Sequence, residues 1–359
     1  MAKRIGILTS GGDCPGLNAA IRGVAKASYE CIENVEIIGI NDGYYGLING
    51  DYEEMQPDQF SGILTMGGTI LGTRRQPFSK MRIKDENDMD NIEKMKRNYE
   101  KMKLNCLLTL GGNGTHKTAN LLSQEGLNVI GLPKTIDNDL WGTEMTFGFH
   151  TAVDIATDVI DRIHTTAASH GRVMVIELMG HKAGWLTLYA GLAGGADILL
   201  IPEIPYDVEE VCAAVEKRAR AGKRFSIIAM AEGAMTKQES SMKKKELAKH
   251  REDNKIRFVS DRLAAEIEEK VSVETRTVVP GHVQRGGSPS SYDRVLSTQF
   301  GVYAAELLRR EKYGTTVAMV EHKVTHNMLK DVAGKTKFVG PDCQMVGVAK
   351  SMGISFGEK

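Results

Sequence analysis

Net charge is what this sequence most plainly lacks: 46 lysines and arginines are matched by 46 aspartates and glutamates over 359 residues. Such a balance gives no electrostatic case for nucleic acid or an anionic membrane as partner, so any anion site must be local. Cysteine is scarce. Cys14, Cys31, Cys106, Cys212 and Cys343 are odd in number and show no metal-ligand spacing. That fits a reducing compartment better than a disulfide scaffold. No apolar stretch reaches the roughly 18 residues that span a bilayer, and no signal peptide precedes the first strand, so a cytoplasmic location is expected. There is no short-period repeat and no low-complexity tract. A dinucleotide fingerprint is also missing, which speaks against a dehydrogenase. The two tryptophans, Trp141 and Trp185, are expected to pack rather than to stack on bases.

What is present is ordinary globular composition, 42% hydrophobic and 26% charged, at a length that suggests two domains. Short β-branched runs alternate with helical patterns. Residues 5–9, 35–40, 106–110, 129–132, 172–178, 198–201, 226–231 and 276–279 read as strands. Residues 17–29, 115–124, 151–165, 182–192, 208–221 and 261–270 read as helices. The alternation predicts parallel sheets covered by helices, in two units with a boundary near residues 145–150. Residues 237–256 are rich in lysine and glutamate and are expected to form a solvated surface excursion or helix.

Chemistry collects at strand ends, where open α/β sheets carry their sites. Residues 133–139, Pro-Lys-Thr-Ile-Asp-Asn-Asp, follow an apolar strand. One of its carboxylates, Asp137 or Asp139, can take a proton from a hydroxyl while the other helps hold a metal ion. Thr-Ser-Gly-Gly-Asp-Cys-Pro-Gly (9–16) and Thr-Leu-Gly-Gly-Asn-Gly-Thr (109–115) each join a strand to a helix. Glycines let backbone approach phosphate, and a helix start supplies N–H groups. A third glycine cluster, Met66-Gly67-Gly68-Thr69, leads to Arg74 and Arg75. Together the three read as a polyphosphate cradle. Met179-Gly180-His181, Glu232 and the loop His282–Arg285 also follow strands, which suggests a polar cleft for an acceptor carrying a phosphate and free hydroxyls. His116, His150 and His170 read as structural.

The chain resembles the 6-phosphofructokinase family over nearly its whole length. The resemblance is carried by residues 9–22, Gly-Gly-Asn-Gly-Thr (111–115), residues 133–139, Met-Gly-His (179–181) and Gly-His-Val-Gln-Arg-Gly-Gly-Ser-Pro (281–289). It implies two Rossmann-like three-layer α/β/α domains with mostly parallel sheets and an active site in the cleft between them. It also implies transfer of a phosphoryl group from ATP to the 1-hydroxyl of fructose 6-phosphate with Mg²⁺. The expected donor domain is 1–147 completed by 283–335. The expected sugar-phosphate domain is 148–282 completed by 336–359. By position Asp137 is the base, with Thr135 and Lys134 beside the transferring group. Gly12, Arg75, Gln76, Gly112, Asn113, Gly114 and Thr115 form the donor site. The sugar phosphate falls to Thr135, Ile136, Asp137, Met179, Gly180, His181, Glu232, His282, Val283, Gln284 and Arg285, joined by Arg172 and Arg276 from a neighbouring subunit. A homo-oligomer is implied, a homotetramer before a homodimer.

Three positions depart from the family pattern. Asn113 stands where the family has a metal-binding aspartate, leaving the metal to Asn113 and Asp139, with Asp13 able to share it. His181 replaces an arginine, making one charge titratable. His164 stands where regulated bacterial enzymes bind a nucleotide effector through arginine, so control by ADP or phosphoenolpyruvate is not expected. The donor signal is mixed. Gly114 suits ATP, whereas Lys134 is typical of pyrophosphate users. The alternatives are a pyrophosphate-dependent phosphotransferase and a nucleotide-binding regulatory protein with a decayed site.

Overall fold

A computed structural model of the chain describes residues 2–86 and 88–358, and these divide into two units. The first comprises Met1–Ile136, Leu140–Thr151 and Arg285–Lys337, and the second Asp137–Asp139, Ala152–Gln284 and Phe338–Lys359.

In the first unit, strands β1 (Lys3–Ser10), β2 (Val35–Ile40), β3 (Tyr52–Met55), β4 (Cys106–Gly111) and β5 (Val129–Pro133) are laid down in succession. The second unit contributes β6 (Val173–Leu178), β7 (Ile198–Leu200), β8 (Ser226–Ala231) and β9 (Thr275–Val278), after which β10 (Thr315–Val320) and β11 (Lys323–Met328) return to the first. The first sheet runs β11-β10-β5-β4-β1-β2-β3. Its inner strands are parallel, and the two edge strands, β3 and β11, are antiparallel to their neighbours. β1, β4 and β5 are nearly continuous apolar runs and are buried almost throughout, as strands covered on both faces must be. Leu8, Ile38, Ile40, Leu107 and Val129 pack there against Ala119 and Leu122 of the helix Asn113–Gln124. Each such aliphatic side chain contributes about 1.5–3 kcal/mol by leaving water.

The helix Leu17–Cys31 packs on the helix Ser291–Arg309, which was not among the expected helices. Gly23 and Gly301 make that crossing close. A Cβ on Gly301 would lie 2.5 Å from the Ala20 carbonyl oxygen, and one on Gly23 would lie 2.9 Å from that of Thr298.

The second unit's sheet runs β7-β8-β6-β9, all parallel. Val173, Val175, Ile228 and Met230 form its core with Leu263 and Ile267 of the helix Val259–Val271. The charged segment becomes two helices, Lys237–Ser240 and Lys244–Asp253, the second with no buried residue. It is nevertheless tied down. Glu239 is buried and accepts from Arg251 Nε at 3.0 Å and Arg262 NH2 at 2.9 Å. Burial pushes its carboxyl up, but the two guanidiniums and the Thr236 N–H pull it down to about 2.

Among the described residues no helix is long and apolar enough to cross a membrane. All five cysteines are free thiols. One packing expectation fails: Trp141 is 52% exposed, because it sits on the turn between Leu140 and Gly142 rather than on a helix or strand face.

Candidate active site

In the first unit the turn after β1 is held from four sides. Thr73 Oγ1 donates to the Gly11 carbonyl at 2.7 Å and Thr115 Oγ1 to that of Ser10 at 3.2 Å. Lys134 Nζ donates to the Gly12 carbonyl, and Arg285 NH1 to that of Asp13 at 3.1 Å. Gly11 needs to be glycine because its φ is 92°, in the left-handed region. A Cβ on Gly12 would come within 2.7 Å of the Arg285 guanidinium, so a larger residue there would displace that side chain. This turn, Thr115, Lys134 and Arg285 are thus one cluster, gathered from residues more than 270 positions apart in sequence.

β4 ends in Gly111, and Gly112 caps the helix Asn113–Gln124 without a side-chain hydrogen bond. The first-turn N–H groups and the positive end of the helix dipole therefore have no capping side chain on them. Gly114 faces open space, with nothing within 4 Å of a Cβ built on it. His116 is buried. Its Nδ1 donates to the Gly112 carbonyl at 3.1 Å and its Nε2 accepts from Thr316 Oγ1 at 2.8 Å, which ties the glycine turn to β10. Burial pushes this imidazole down to about 4, so it is neutral and structural.

The Asn113 side chain is engaged at both its oxygen and its nitrogen. Oδ1 accepts the Gly334 N–H at 2.8 Å, and Nδ2 donates to the Lys335 carbonyl at 3.0 Å and Thr336 Oγ1 at 3.4 Å. An ionised aspartate has no proton for that carbonyl, which is a physical reason for asparagine here. Only one lone pair of Oδ1 is left for a metal. Of the paired arginines, Arg74 lies over the Tyr45 ring at 4.0 Å, while Arg75 is exposed and Gln76 half-buried.

β5 leads into Lys134 and Thr135, both buried. The Thr135 carbonyl accepts from Thr146 Oγ1 at 2.8 Å. Beyond Ile136 the backbone turns through Asn138, whose φ is 49°, a left-handed conformation that asparagine tolerates. Asp137 is half-buried and Asp139 buried.

In the second unit three strand ends are laced together. The Met179 N–H donates to Gln284 Oε1 at 3.2 Å, the His181 N–H to Glu232 Oε1 at 2.8 Å, and Gln284 Nε2 to the Gly281 carbonyl at 3.1 Å. Gly180 and His181 have φ of 143° and 53°. The three segments that end β6, β8 and β9 thus share the carboxyl edge of the sheet, with His282 and Val283 exposed. Glu203, which the sequence did not flag, supports this edge by accepting from Gly184 N–H at 3.0 Å and Val339 N–H at 2.9 Å.

Arg172 and Arg276 are elsewhere. Arg172 immediately precedes β6, and Arg276 pairs with Met174 near that strand's start. The six-residue β6 separates them from Met179 by roughly 20 Å, at about 3.3 Å per residue. Arg172 Nε lies 2.8 Å from Glu274 Oε2, and Arg276 NH2 lies 2.5 Å from Glu274 Oε1. His164 Nε2 bonds the Gly194 carbonyl at 2.8 Å, with its ring edge-on to Phe225.

A model of the family described as Phosphofructokinase matches residues 4–308. The chain belongs to the phosphofructokinase family. It is 55% identical to an ATP-dependent 6-phosphofructokinase of Spirochaeta thermophila, over 99% of this chain and 98% of that one. It is 46% identical to ATP-dependent 6-phosphofructokinase 3 of Bacteroides thetaiotaomicron, over 99% and 100%. Among solved structures, Pichia pastoris phosphofructokinase in the T-state superimposes with a TM-score of 0.81 at 29% identity, covering 98% of this chain and 37% of that much longer one. A pyrophosphate-dependent phosphofructokinase of Marinobacter aquaeolei gives a TM-score of 0.79 at 21% identity, over 98% and 92%, and shares the fold. The expected two-domain α/β phosphofructokinase fold is thereby established.

Proposed function

We propose that this protein is an ATP-dependent 6-phosphofructokinase, transferring the γ-phosphoryl group of ATP to the 1-hydroxyl of fructose 6-phosphate. The observation that carries the reading is the first unit's glycine architecture. One turn has its carbonyls tied back by Thr73, Thr115, Lys134 and Arg285, and an uncapped helix start lies beside an open Gly114. Tied carbonyls and uncapped N–H groups suit an anion, and the open space at Gly114 suits a donor with more than two phosphates. Gly12, Arg75, Gln76, Gly112, Asn113, Gly114 and Thr115 are its donor residues.

Asp137 is the general base. A sugar hydroxyl attacks poorly while it keeps its proton, and Asp137 stands on the strand-end loop just past Thr135. Lys134 and Thr135 steady the charge that develops on the transferring group. Thr135, Ile136, Asp137, Met179, Gly180, His181, Glu232, His282, Val283, Gln284 and Arg285 orient the acceptor.

The described residues contain no group of three His, Cys, Asp or Glu that could cage a metal. Mg²⁺ does not need one, because it keeps waters and takes substrate phosphates, with one or two protein oxygens. Asp139 and the remaining lone pair of Asn113 meet that requirement. The bound ion would neutralise phosphate charge.

Arg172 and Arg276 lie a strand's length from Met179–His181 in their own chain, which favours their serving a second copy. The proposed assembly is a homo-oligomer, a homotetramer before a homodimer, acting in the cytoplasm without nucleic acid or membrane. Initial rates with fructose 6-phosphate and Mg²⁺ test the donor. Higher kcat/KM with pyrophosphate than with ATP would overturn ATP while leaving the fold and the base untouched.

A further inference from the structure

Between the two arginines proposed to take a sugar phosphate stands a carboxylate that no part of the reaction uses. We propose that Glu274 is a built-in competitor, an internal phosphate mimic that holds Arg172 and Arg276 until the sugar phosphate displaces it. The proposal rests on the functional reading above.

The geometry is that of one anion between two forks. Glu274 Oε2 lies 2.8 Å from Arg172 Nε and Oε1 lies 2.5 Å from Arg276 NH2. Arginine forks match carboxylate and phosphate oxygens alike. Arg276 NH1 also reaches Glu268 Oε1 at 3.4 Å. Two guanidiniums and two carboxylates sum to zero, so the cluster attracts a dianion only after a carboxylate leaves.

The two glutamates are not equivalent. Glu268 Oε1 also accepts the Thr275 N–H at 2.8 Å, so it holds the backbone of β9. Apart from the two arginines, Glu274 is held through its main chain, whose carbonyl accepts the Val173 N–H at 3.0 Å. Its side chain is 42% exposed and can swing into water. An exposed ion pair is weak and screened, whereas a phosphate dianion between two arginines is held by charge-assisted bonds on both sides. Displacement is therefore favourable but incomplete at low substrate. Sequence spacing shows how the device is built. Glu274, the residue just before β9, and Arg276, the second residue of that strand, are two apart, the spacing that puts side chains on one face of extended chain.

Glu274→Gln keeps the shape and removes the charge. In the intact enzyme we expect KM for fructose 6-phosphate to fall roughly three- to tenfold, with kcat within about twofold and KM for ATP unmoved. Competitive inhibition by inorganic phosphate against fructose 6-phosphate should tighten by a similar factor. An unchanged KM overturns the proposal. So does a raised KM, which would make Glu274 a support for arginine geometry. Arg172→Ala, measured in parallel, separates the two levels. If its KM for fructose 6-phosphate rises strongly while Glu274→Gln changes nothing, only the competitor is lost. If Arg172→Ala leaves KM at the wild-type value, the arginines do not take the phosphate and the underlying assignment fails with it. Thermal unfolding of each variant checks folding, since Glu274 is exposed but Arg172 is half-buried.

Discussion

Replacing Gly114 with aspartate tests the donor assignment by charge alone. A Cβ at this position meets nothing within 4 Å, so the side chain enters open space without strain. Residue 114 is the second residue of the helix Asn113–Gln124. An acidic group there stabilises the helix by about 0.3–1 kcal/mol through the dipole, so the variant should fold and melt no lower than wild type. The cost falls on the ligand. A carboxylate roughly 5 Å from a phosphate oxygen, at an effective dielectric constant near 20, repels it by about 3 kcal/mol. That corresponds to roughly a 200-fold loss in kcat/KM for ATP. Gly114→Asn carries the same bulk without the charge and should lose less than about tenfold. The assay is initial rate against ATP at saturating fructose 6-phosphate and Mg²⁺, with melting temperatures alongside. Two results would refute the reasoning. One is an aspartate variant within about fivefold of wild type. The other is an asparagine variant that falls as far as the aspartate one, which would make bulk rather than charge responsible.

Asp137→Asn should lower kcat by about 10² to 10⁴ with a modest change in KM, and a near-normal kcat would remove Asp137 from the role of base. Mixing Arg172→Ala with Asp137→Ala protein should restore activity in hybrid oligomers, since intact sites then form from one copy of each. Demonstrated subunit exchange without restored activity would end the shared-site proposal. Acid should weaken the first unit through His116. Its folded-state pKa, near 4, lies below the ordinary 6.5, so its contribution is complete above about pH 6.5 and is lost as pH falls toward 4. Urea unfolding should show roughly 2 kcal/mol less stability at pH 5 than at pH 8 from this group, and His116→Gln should flatten that slope. Equal slopes in the two proteins would assign the acid lability elsewhere.

Strands that are apolar throughout were legible because burial on both faces leaves a continuous signal. β1, β4, β5, β6 and β8 all read this way. The edges were not. β3 and β11 are only partly buried and rich in polar residues, so they carry neither an apolar run nor clean alternation. The helix Ser291–Arg309 is long, but it carries Gly301, whose reason lies across the interface in Gly23 rather than in its own periodicity. At the site, local motifs were visible because each packs its chemistry into a few consecutive residues. The supports were not, because they act at a distance. Glu203 gains its meaning only when Gly184 and Val339 meet, and Asn113 only when Gly334–Thr336 arrives. Asp293 is likewise opaque in one dimension. It is fully buried and accepts from the N–H groups of Gly148 and Thr151.

The strand order has a consequence for how the protein must be made. β10 pairs directly with β5, Thr315 opposite Ile130, yet Thr315 lies 182 positions after Pro133 in the chain. At about 5–20 residues per second a ribosome takes roughly 9–36 s to cover that distance. Throughout that interval the nascent first sheet presents β5 as an open edge, apolar and ready to pair with whatever strand comes first. Neighbouring chains on the same message offer such strands, and so does any fragment released early. Premature termination before Thr315 should therefore yield insoluble product rather than a smaller stable domain. On this reasoning a chaperone that shields one strand edge for tens of seconds should raise the yield of folded protein.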